Sequence, residues 1–492
     1  MSKTSEIDVL VVGAGLSGIS MAAHMEMKCP DRSYVVLERR DNLGGTWDLF
    51  RYPGVRSDSD MHTLGFKFEP WLHEDAIADG PSILEYLHDT VNKRGITQNI
   101  HTGTRVISAD WRAAEAVWTV EAEGPDGPRQ YRARWLYLAS GYYDYDNPHD
   151  AKLPGIDSFG GTVIHPQFWP QDLDYSGKKV VVIGSGATAV TIVPAMAETA
   201  ASVTMLQRTP TWMASGPRRD RIGKFLERTL PESLAYRLTR WKNILFRSYV
   251  FRVARKSPDK LADKLRGWLR RDLEHAYEER HFEPPYDPWK QRMCLVPDGD
   301  LFDAMKAGKA RIETGHIDTF DAGGIVLQSG ERLDADIVVT ATGLQLQIGG
   351  KIKVSRDGVP LDWTDHFFYR NCMFSNVANL SVVFGYLNAS WTLRADNNAG
   401  YITDVLNHMA QTGSQVVYPL LHAEDEPEAL KPFDYESGYL VRAQHIMPKS
   451  GPELPWKLNH DYLGDRRDLR QRPVADGTLR FEKLPEKQEQ VA

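Results

Sequence analysis

The sequence predicts an α/β protein with two Rossmann-like dinucleotide-binding domains, one of which carries a helical insertion. Two observations predict this fold. The order strand, glycine loop, helix and strand occurs twice, and the apolar runs beside each loop have the length of buried strands. The chain has 492 residues, which at about 150 residues per domain allows about three domains, or two with a large insertion.

The first of these units lies at the N-terminus. Its predicted strand Ile7–Val12 leads into the loop Gly13–Gly18, a helix over Ile19–Glu26 and a second strand over Tyr34–Leu37. The first glycine of the loop allows a tight turn, the second lets the backbone approach a pyrophosphate, and the third lets the helix pack on the strand. The helix N-terminus offers free N–H groups to the phosphates. The loop residues predicted to bind the cofactor are Gly13, Gly15, Ser17 and Gly18.

The second unit begins with the predicted strand Lys178–Ile183, and its next strand is Ser202–Leu206. Between them the loop has alanine at the third position, which the fingerprint tolerates. Apolar runs at Trp135–Ala139 and Ile337–Ala341 each end in a turn of small residues, and we interpret them as the last strands of the two units. The loop residues predicted to bind the second cofactor are Gly184, Gly186, Ala187, Thr188 and Ala189.

The residue after each second strand indicates which dinucleotide is preferred. In the first unit it is Glu38, whose carboxylate accepts hydrogen bonds from ribose hydroxyls and repels a 2′-phosphate. In the second unit it is Arg208, whose guanidinium can bind a 2′-phosphate through two hydrogen bonds. An acidic and a basic strand end in one chain predict FAD in the first unit and NADPH in the second. The alternative is that Arg208 is a solvated charge at a strand end.

The two units predict two domains, the first of which is formed by two separate segments of the chain. The FAD-binding domain comprises residues 1–145 and 345–492, and the NADP-binding domain comprises residues 146–344 with a helical insertion over 217–290. The insertion has 19 Lys and Arg against 11 Asp and Glu, a net charge of +8, whereas the whole chain carries −7. Two interpretations of the insertion remain open. The simpler one is a helical subdomain with solvated charges, and the other is a surface that contacts anionic membranes.

Composition excludes several classes of protein. A net charge of −7 argues against binding nucleic acid through the whole surface. Cys29, Cys294 and Cys372 are too far apart for a Cys-x-x-Cys zinc or redox site, and their small number predicts a reducing, cytoplasmic setting. No signal peptide is predicted, since residues 2–6 are mostly polar and the apolar run Val9–Val12 is too short. No membrane span is predicted, since the longest mostly apolar stretch, 180–197, is interrupted by two glycines and a proline. No metal site is predicted.

A spaced motif of aromatic, glycine, histidine and proline residues lies between the two units. Its members are Phe159, Gly161, His165, Trp169 and Pro170. This motif resembles the FxGxxxHxxxWP fingerprint of type I Baeyer–Villiger monooxygenases, within the flavin-containing monooxygenase superfamily. Residues 44–47, together with 52–54 and 58, resemble the second fingerprint of that family. The resemblance covers nearly the whole chain and is strongest to the subgroup of the ethionamide-activating monooxygenases.

The resemblance implies a reaction and two catalytic residues. The family reduces FAD with NADPH and inserts one oxygen atom of O2 beside a ketone carbonyl, through a C4a-peroxyflavin, to give an ester or lactone. Arg292 has the position of the arginine that stabilises the negative peroxide and the tetrahedral adduct, as suits a permanent cation near an oxyanion. Asp58 matches the acid that orients this arginine. The further cofactor contacts assigned are Thr46, Trp47, Asp58, Val106 and Thr209.

One departure from the family pattern concerns the NADP phosphate. In many members a lysine directly precedes the catalytic arginine and contacts the 2′-phosphate. Here Gln291 takes that place and Lys290 lies one residue earlier, and both are assigned to the cofactor site. Either Lys290 reaches the phosphate, or Arg208 makes most of the distinction between NADPH and NADH.

The expected substrates are a hydrophobic ketone or sulfide and O2, and three other functions remain as alternatives. A flavin-containing monooxygenase that acts mainly by S- or N-oxygenation uses the same cofactors. A pyridine nucleotide–disulfide reductase needs two neighbouring cysteines, which the chain lacks. A non-catalytic nucleotide sensor would not need Asp58 and Arg292. The sequence predicts neither the physiological substrate and regiochemistry nor the oligomeric state.

Overall fold

The computed structural model describes residues 4–291 and 293–485. The first part of the chain forms six strands and four helices. The strands are β1 (Thr4–Val12), β2 (Tyr34–Leu37), β3 (Ile100–His101), β4 (Arg105–Arg112), β5 (Val117–Gly124) and β6 (Gly127–Leu138). The helices are α1 (Leu16–Lys28), α2 (Thr46–Leu49), α3 (Met61–Leu64) and α4 (Gly80–Lys93).

The middle of the chain forms a second set of elements. The strands are β7 (Thr162–Ile164), β8 (Lys179–Ile183), β9 (Ser202–Gln207), β10 (Met213–Gly216), β11 (Cys294–Pro297), β12 (Ala310–Thr314), β13 (Ile317–Asp321), β14 (Gly324–Leu327), β15 (Arg332–Asp334) and β16 (Ile337–Thr340). The helices are α5 (Ala187–Met196), α6 (Arg221–Thr229), α7 (Glu232–Lys256), α8 (Pro258–Leu273), α9 (Glu279–Phe282) and α10 (Asp300–Lys306). The predicted helical insertion is confirmed, since α6 to α9 lie between β10 and β11.

The last part of the chain returns to the first sheet. Its strands are β17 (Lys353–Arg356), β18 (Val359–Pro360), β19 (Phe368–Tyr369), β20 (Met373–Phe374), β21 (Leu380–Val382), β22 (Val416–Pro419) and β23 (Leu479–Glu482). Its helices are α11 (Trp391–Thr412), α12 (Gly438–Ala443) and α13 (Tyr462–Gln471). Of these strands, β21 pairs with β6, and β17 pairs with β4.

Two sheets define the architecture. In the first, β21, β6, β1, β2 and β3 are neighbours in that order and run parallel, and the antiparallel strands β4 and β5 extend it through β6. The second sheet has the order β12-β9-β8-β16-β7, and all its pairs are parallel. These are the two α/β units that the sequence predicts, each with a glycine loop after a central strand.

The predicted element bounds are close to those observed, and the differences have a physical cause. The strand over Tyr34–Leu37 has the predicted bounds. The first strand begins at Thr4, three residues before the prediction, because its polar start pairs with the backbone of β6 from Gln130 onward. Likewise, the run at Trp135–Ala139 is the end of the longer strand β6, whose first half pairs with β5 and is partly exposed. Backbone pairing thus extends both strands beyond their apolar residues.

Among residues 4–291 and 293–485, no helix combines the length and the hydrophobicity needed to span a bilayer.

Candidate active site

The first glycine loop leaves no room for larger residues at two positions. Gly13 has a φ of +101°, and a Cβ atom there would lie 2.6 Å from the carbonyl oxygen of Ala139. A Cβ atom at Gly18 would lie 1.8 Å from the carbonyl oxygen of Gly13. Glycine at both positions therefore lets helix α1 start directly against the end of β1. Gly15 precedes this helix, and no side chain caps its N-terminus, so the N–H groups of the first turn remain available to an anion.

Glu38 lies at the end of β2, beside this loop, and is only 4% exposed. Its Oε2 accepts the N–H of Ala14 at 2.7 Å, and its Oε1 accepts the N–H of Arg40 at 2.9 Å. Burial raises the pKa of Glu38, and these two hydrogen bonds oppose that shift. The carboxylate is thus held in one orientation at the wall of a cavity. The remaining lone pairs of its two oxygens can accept hydrogen bonds from hydroxyl groups.

The second glycine loop repeats this geometry. Gly184 has a φ of +131°, and a Cβ atom there would lie 2.3 Å from the carbonyl oxygen of Ala341. Gly186 differs, because a Cβ atom there would meet no other atom within 4 Å. Helix α5 follows, its N-terminus is not capped by a side chain, and Ala189 in its first turn is fully buried. The open space at Gly186 therefore lies beside free N–H groups, as a phosphate site requires.

Arg208 and Thr209 follow strand β9, which runs parallel to β8. They lie at the edge of the second sheet from which the Gly184–Gly186 loop also emerges. Arg208 is exposed and forms no ion pair with any residue that the structure describes. Its guanidinium is therefore available to an anion at this edge.

The first glycine loop and the first turn of α5 line one cavity of about 310 Å³, whereas Gly184 and Gly186 of the second loop do not line it. The predicted site residues that line it are Gly13, Gly15, Ser17, Glu38, Thr46, Trp47, Asp58, Val106, Ala187 and Thr188. The loop that contains Tyr52 and Asp58 joins its two halves. The Tyr52 hydroxyl is hydrogen-bonded to Thr188, and burial raises the pKa of Tyr52 to about 12. Arg56 forms an ion pair with Asp300 at the start of α10, which fixes the same loop against the second sheet's domain.

Aromatic side chains form another wall of the cavity. The Trp391 indole N–H donates to Ser17 Oγ at 2.8 Å, and the indole stacks on Tyr142 with ring centroids 4.7 Å apart. Tyr145 lies 3.3 Å from Thr46 Oγ1. Neither Tyr142 nor Tyr145 is among the residues that the sequence predicts for the site. The signal available for them is a run of tyrosines directly after the strand that ends at Leu138.

The segment that precedes Arg292 lies partly away from this cavity. Lys290 Nζ is 3.5 Å from Asp287, and the Lys290 carbonyl accepts the N–H of Glu436 at 2.9 Å. Lys290 lines a second, smaller cavity, whereas Gln291 lines neither. Arg292 falls outside the described residues, but its neighbour Met293 lines the shared cavity.

The motif at residues 159–170 packs at both ends against the second domain. Phe159 packs against Phe320 with ring centroids 6.2 Å apart, and a Cβ atom at Gly161 would lie 2.3 Å from the Asp336 carbonyl oxygen. Near the other end of the motif, Trp169 packs against the core of the second sheet and Pro170 is exposed. As far as the described residues define the shared cavity, no member of the motif lines it. These contacts indicate a structural part for the motif.

His165 lies at the centre of this motif and connects it to the first sheet. Its Nδ1 accepts the N–H of Gln167 at 3.2 Å, and burial lowers the pKa of His165. The Gln167 side chain donates in turn to the carbonyl of Asp144, 2.8 Å away, in the segment that follows β6. Asp144 is held by Lys351, and although burial would raise the pKa of Asp144, this and other hydrogen bonds lower it. His165 therefore contributes to an interdomain connection.

Two glycine loops, each after a central strand and before a helix whose N-terminus faces the same cavity, define an oxidoreductase with paired dinucleotide domains. The profile of the pyridine nucleotide-disulphide oxidoreductase family matches residues 10–235. The chain is 47% identical over 482 residues to the FAD-containing monooxygenase EthA of Mycolicibacterium smegmatis, with 98% of each chain covered. It is 44% identical to the probable FAD-binding monooxygenase AlmA of an Acinetobacter species, with 98% of this chain and 97% of that one covered. The chain belongs to the family of FAD-containing monooxygenases, and the predicted family resemblance is confirmed.

Solved structures agree with this fold. A structure described as oxidized steroid monooxygenase bound to NADP has a TM-score of 0.76 at 21% identity, covering 97% of this chain and all of that one. A cyclohexanone monooxygenase structure has a TM-score of 0.73 at 21% identity, covering 98% of this chain and all of that one. These likenesses confirm the predicted architecture of two dinucleotide domains.

Proposed function

We propose that this protein is an NADPH-dependent Baeyer–Villiger monooxygenase that inserts one oxygen atom of O2 beside a ketone carbonyl, with S-oxygenation of sulfides or thioamides as an accompanying activity. The observation that carries the proposal is the single cavity into which the N-termini of α1 and α5 both open. Such a cavity brings two dinucleotides together, as hydride transfer between them requires. The relatives named as FAD-containing or FAD-binding monooxygenases support oxygen transfer with FAD as the cofactor.

FAD fits the first half of the site, and NADPH fits the second. The first turn of α1 binds the FAD pyrophosphate, and Glu38 accepts the ribose hydroxyls. The first turn of α5 binds the NADPH pyrophosphate, and Arg208 binds the 2′-phosphate. Bound FAD supplies the redox chemistry, taking two electrons from NADPH and passing them to O2. The stacked pair of Trp391 and Tyr142 excludes water from the wall beside Ser17.

Arg292 is assigned the stabilisation of negative charge on the reacting oxygens. It is a permanent cation, and in a site without bulk water such a cation lowers the energy of a developing oxyanion by several kcal/mol, on the order of 3. Asp58 lines the cavity, and to it we assign the orientation of this guanidinium. Met293 lines the same cavity, which supports the assignment of its neighbour.

Isotope labelling tests this function directly. The FAD-loaded protein is given NADPH, ¹⁸O2 and either an aliphatic ketone or a sulfide, and the products are analysed by mass spectrometry. We expect an ester with one ¹⁸O atom from the ketone and a singly labelled sulfoxide from the sulfide. A labelled sulfoxide with no ester would establish the S-oxygenation alternative. Peroxide release without either product would contradict oxygen transfer altogether.

Arg292→Ala separates the reductive from the oxidative half of the reaction. We expect anaerobic reduction of FAD by NADPH at the wild-type rate, because Arg292 is assigned to the later step. Ester formation should fall at least about 100-fold, as for removal of one oxyanion-stabilising group. Stopped-flow reduction and product analysis measure the two halves. Arg292→Lys is the matched control, since it keeps a charge and should recover part of the activity. Full ester formation in Arg292→Ala would refute the role.

Arg208→Ala tests the choice of nicotinamide cofactor. We expect the KM for NADPH to rise at least about tenfold, since a charge-assisted contact worth about 1.5–3 kcal/mol is lost. The KM for NADH should stay within about twofold, because NADH has no 2′-phosphate for Arg208 to bind. Lys290→Ala, measured in parallel, decides which residue binds the phosphate. An unchanged KM for NADPH in Arg208→Ala would assign recognition to another residue.

A further inference from the structure

The outer side of the helical insertion combines exposed apolar side chains with unpaired positive charges. Helices α6 and α7 carry six large apolar side chains that are between 41% and 65% exposed. These are Ile222, Phe225, Leu238, Leu245, Phe246 and Tyr249. On the surface of a monomer, exposed apolar residues are normally scattered. Six of them on two consecutive helices therefore indicate an interaction surface.

Helical spacing brings members of this set together. Along α7, Leu245 follows Leu238 by seven residues and Tyr249 follows it by eleven. At the helical period these three residues lie on one face. On the opposite face, Arg240 and Tyr236 are buried against residues 62–66 of the first domain. α7 is therefore unusual for a surface helix, because large apolar side chains lie on its outer face while its opposite face is buried against the first domain.

The charge of these helices adds a second observation. Residues 221–256 contain ten Lys and Arg against two Asp and Glu, so the whole excess charge of the insertion lies on α6 and α7. Five of the cations are exposed and form no ion pair with any residue in the described ranges. They are Arg221, Arg228, Arg237, Arg252 and Lys256. This local excess stands out against a chain whose net charge is −7.

We propose that the outer faces of α6 and α7 form a docking surface for an anionic lipid membrane. Apolar and aromatic side chains enter the boundary between headgroups and acyl chains, while Arg and Lys bind the anionic headgroups. A nucleic acid would bind the cations through its phosphates, but such binding would not account for the exposed leucines. The helices lie along the membrane surface in this arrangement. Because binding requires no turnover, the inference stands apart from the oxygenation chemistry.

Vesicle co-sedimentation of the full-length, FAD-loaded protein tests the proposal. Vesicles of phosphatidylcholine alone are compared with vesicles containing phosphatidylglycerol, each at low and moderate salt. We expect binding to the anionic vesicles at low salt, at least fivefold more than to the neutral ones, and a clear decrease at moderate salt. No binding to either vesicle, or equal binding to both, would overturn the proposal.

Two sets of variants locate the surface. The triple substitution Phe225→Ser, Phe246→Ser and Tyr249→Ser should reduce the bound fraction at least fivefold. The same should hold for Arg228→Gln, Arg237→Gln and Arg252→Gln together. The matched control changes three exposed apolar residues elsewhere, Leu72→Ser, Val359→Ser and Leu430→Ser, and should bind as the wild type does. Equal binding by all these variants would overturn the assignment.

A second copy of the chain is the alternative partner for an exposed apolar face. Sedimentation velocity without lipid measures this self-association. A concentration-dependent dimer that the serine triple variant abolishes, together with no vesicle binding, would make a second copy of the chain the occupant and overturn the lipid proposal. FAD content and the circular dichroism spectrum of each variant show that its fold is retained.

Discussion

Gly18→Ala is expected to abolish FAD binding and to yield little folded protein. The new Cβ atom would lie 1.8 Å from the Gly13 carbonyl oxygen and 3.0 Å from its carbonyl carbon, so it meets backbone that cannot rotate away. Helix α1 would have to move away from β1, which would disrupt the loop and the core that Val11 shares with this helix. Such overpacking lowers the free energy of unfolding by about 1–3 kcal/mol, and by more where the new atom overlaps backbone atoms. Flavin absorbance of the purified protein and its unfolding midpoint measure the effect.

Gly186→Ala is the matched substitution in the second loop. A Cβ atom there meets no neighbour within 4 Å, and Gly186 has an ordinary φ of −78°. We therefore expect FAD content and stability close to those of the wild type, with a raised KM for NADPH because the methyl group occupies the space assigned to the pyrophosphate. Equal loss of folding in the two variants would show that these local geometries do not control the outcome. Unchanged NADPH binding in Gly186→Ala would contradict the assigned phosphate site.

Arg240→Met is expected to destabilise the fold by about 3–5 kcal/mol, as for loss of one partner from a buried ion pair. Arg240 is 6% exposed, and its Nη1 donates to the carbonyls of His62 and Gly65, both at 2.7 Å. Its Nη2 lies 3.6 Å from Asp396, which is also buried. Methionine fills the volume but leaves two carbonyls without a donor and a carboxylate without its cation. Urea unfolding and limited proteolysis within residues 217–290 measure the loss.

Arg237→Met provides the control on the same helix. Arg237 is exposed three residues before Arg240, so its replacement should change the free energy of unfolding by no more than about 0.5 kcal/mol. Adding Asp396→Asn to Arg240→Met should recover part of the loss. The amide oxygen still accepts the Ser20 hydroxyl, 2.7 Å from Asp396, and the buried charge is removed. The recovery is partial because the amide nitrogen cannot accept the Lys67 N–H, which Oδ2 accepts at 3.0 Å. Equal unfolding midpoints for Arg240→Met and Arg237→Met would show that the buried arginine does not hold the insertion in place.

The sequence by itself determined the two α/β units, their glycine loops, the helical insertion and the family. These features depend on local patterns, such as the glycines that follow β1 and β8, because backbone conformation is set over a few residues. Only the tertiary structure decided that the N-termini of α1 and α5 share one cavity, that Trp391 donates to Ser17, and that Arg240 fixes the insertion to the first domain. Trp391 and Ser17 are 374 residues apart, and no spacing rule relates them. The contact exists because β21 pairs with β6 and the chain then enters α11, so the packing of the whole sheet brings distant residues together.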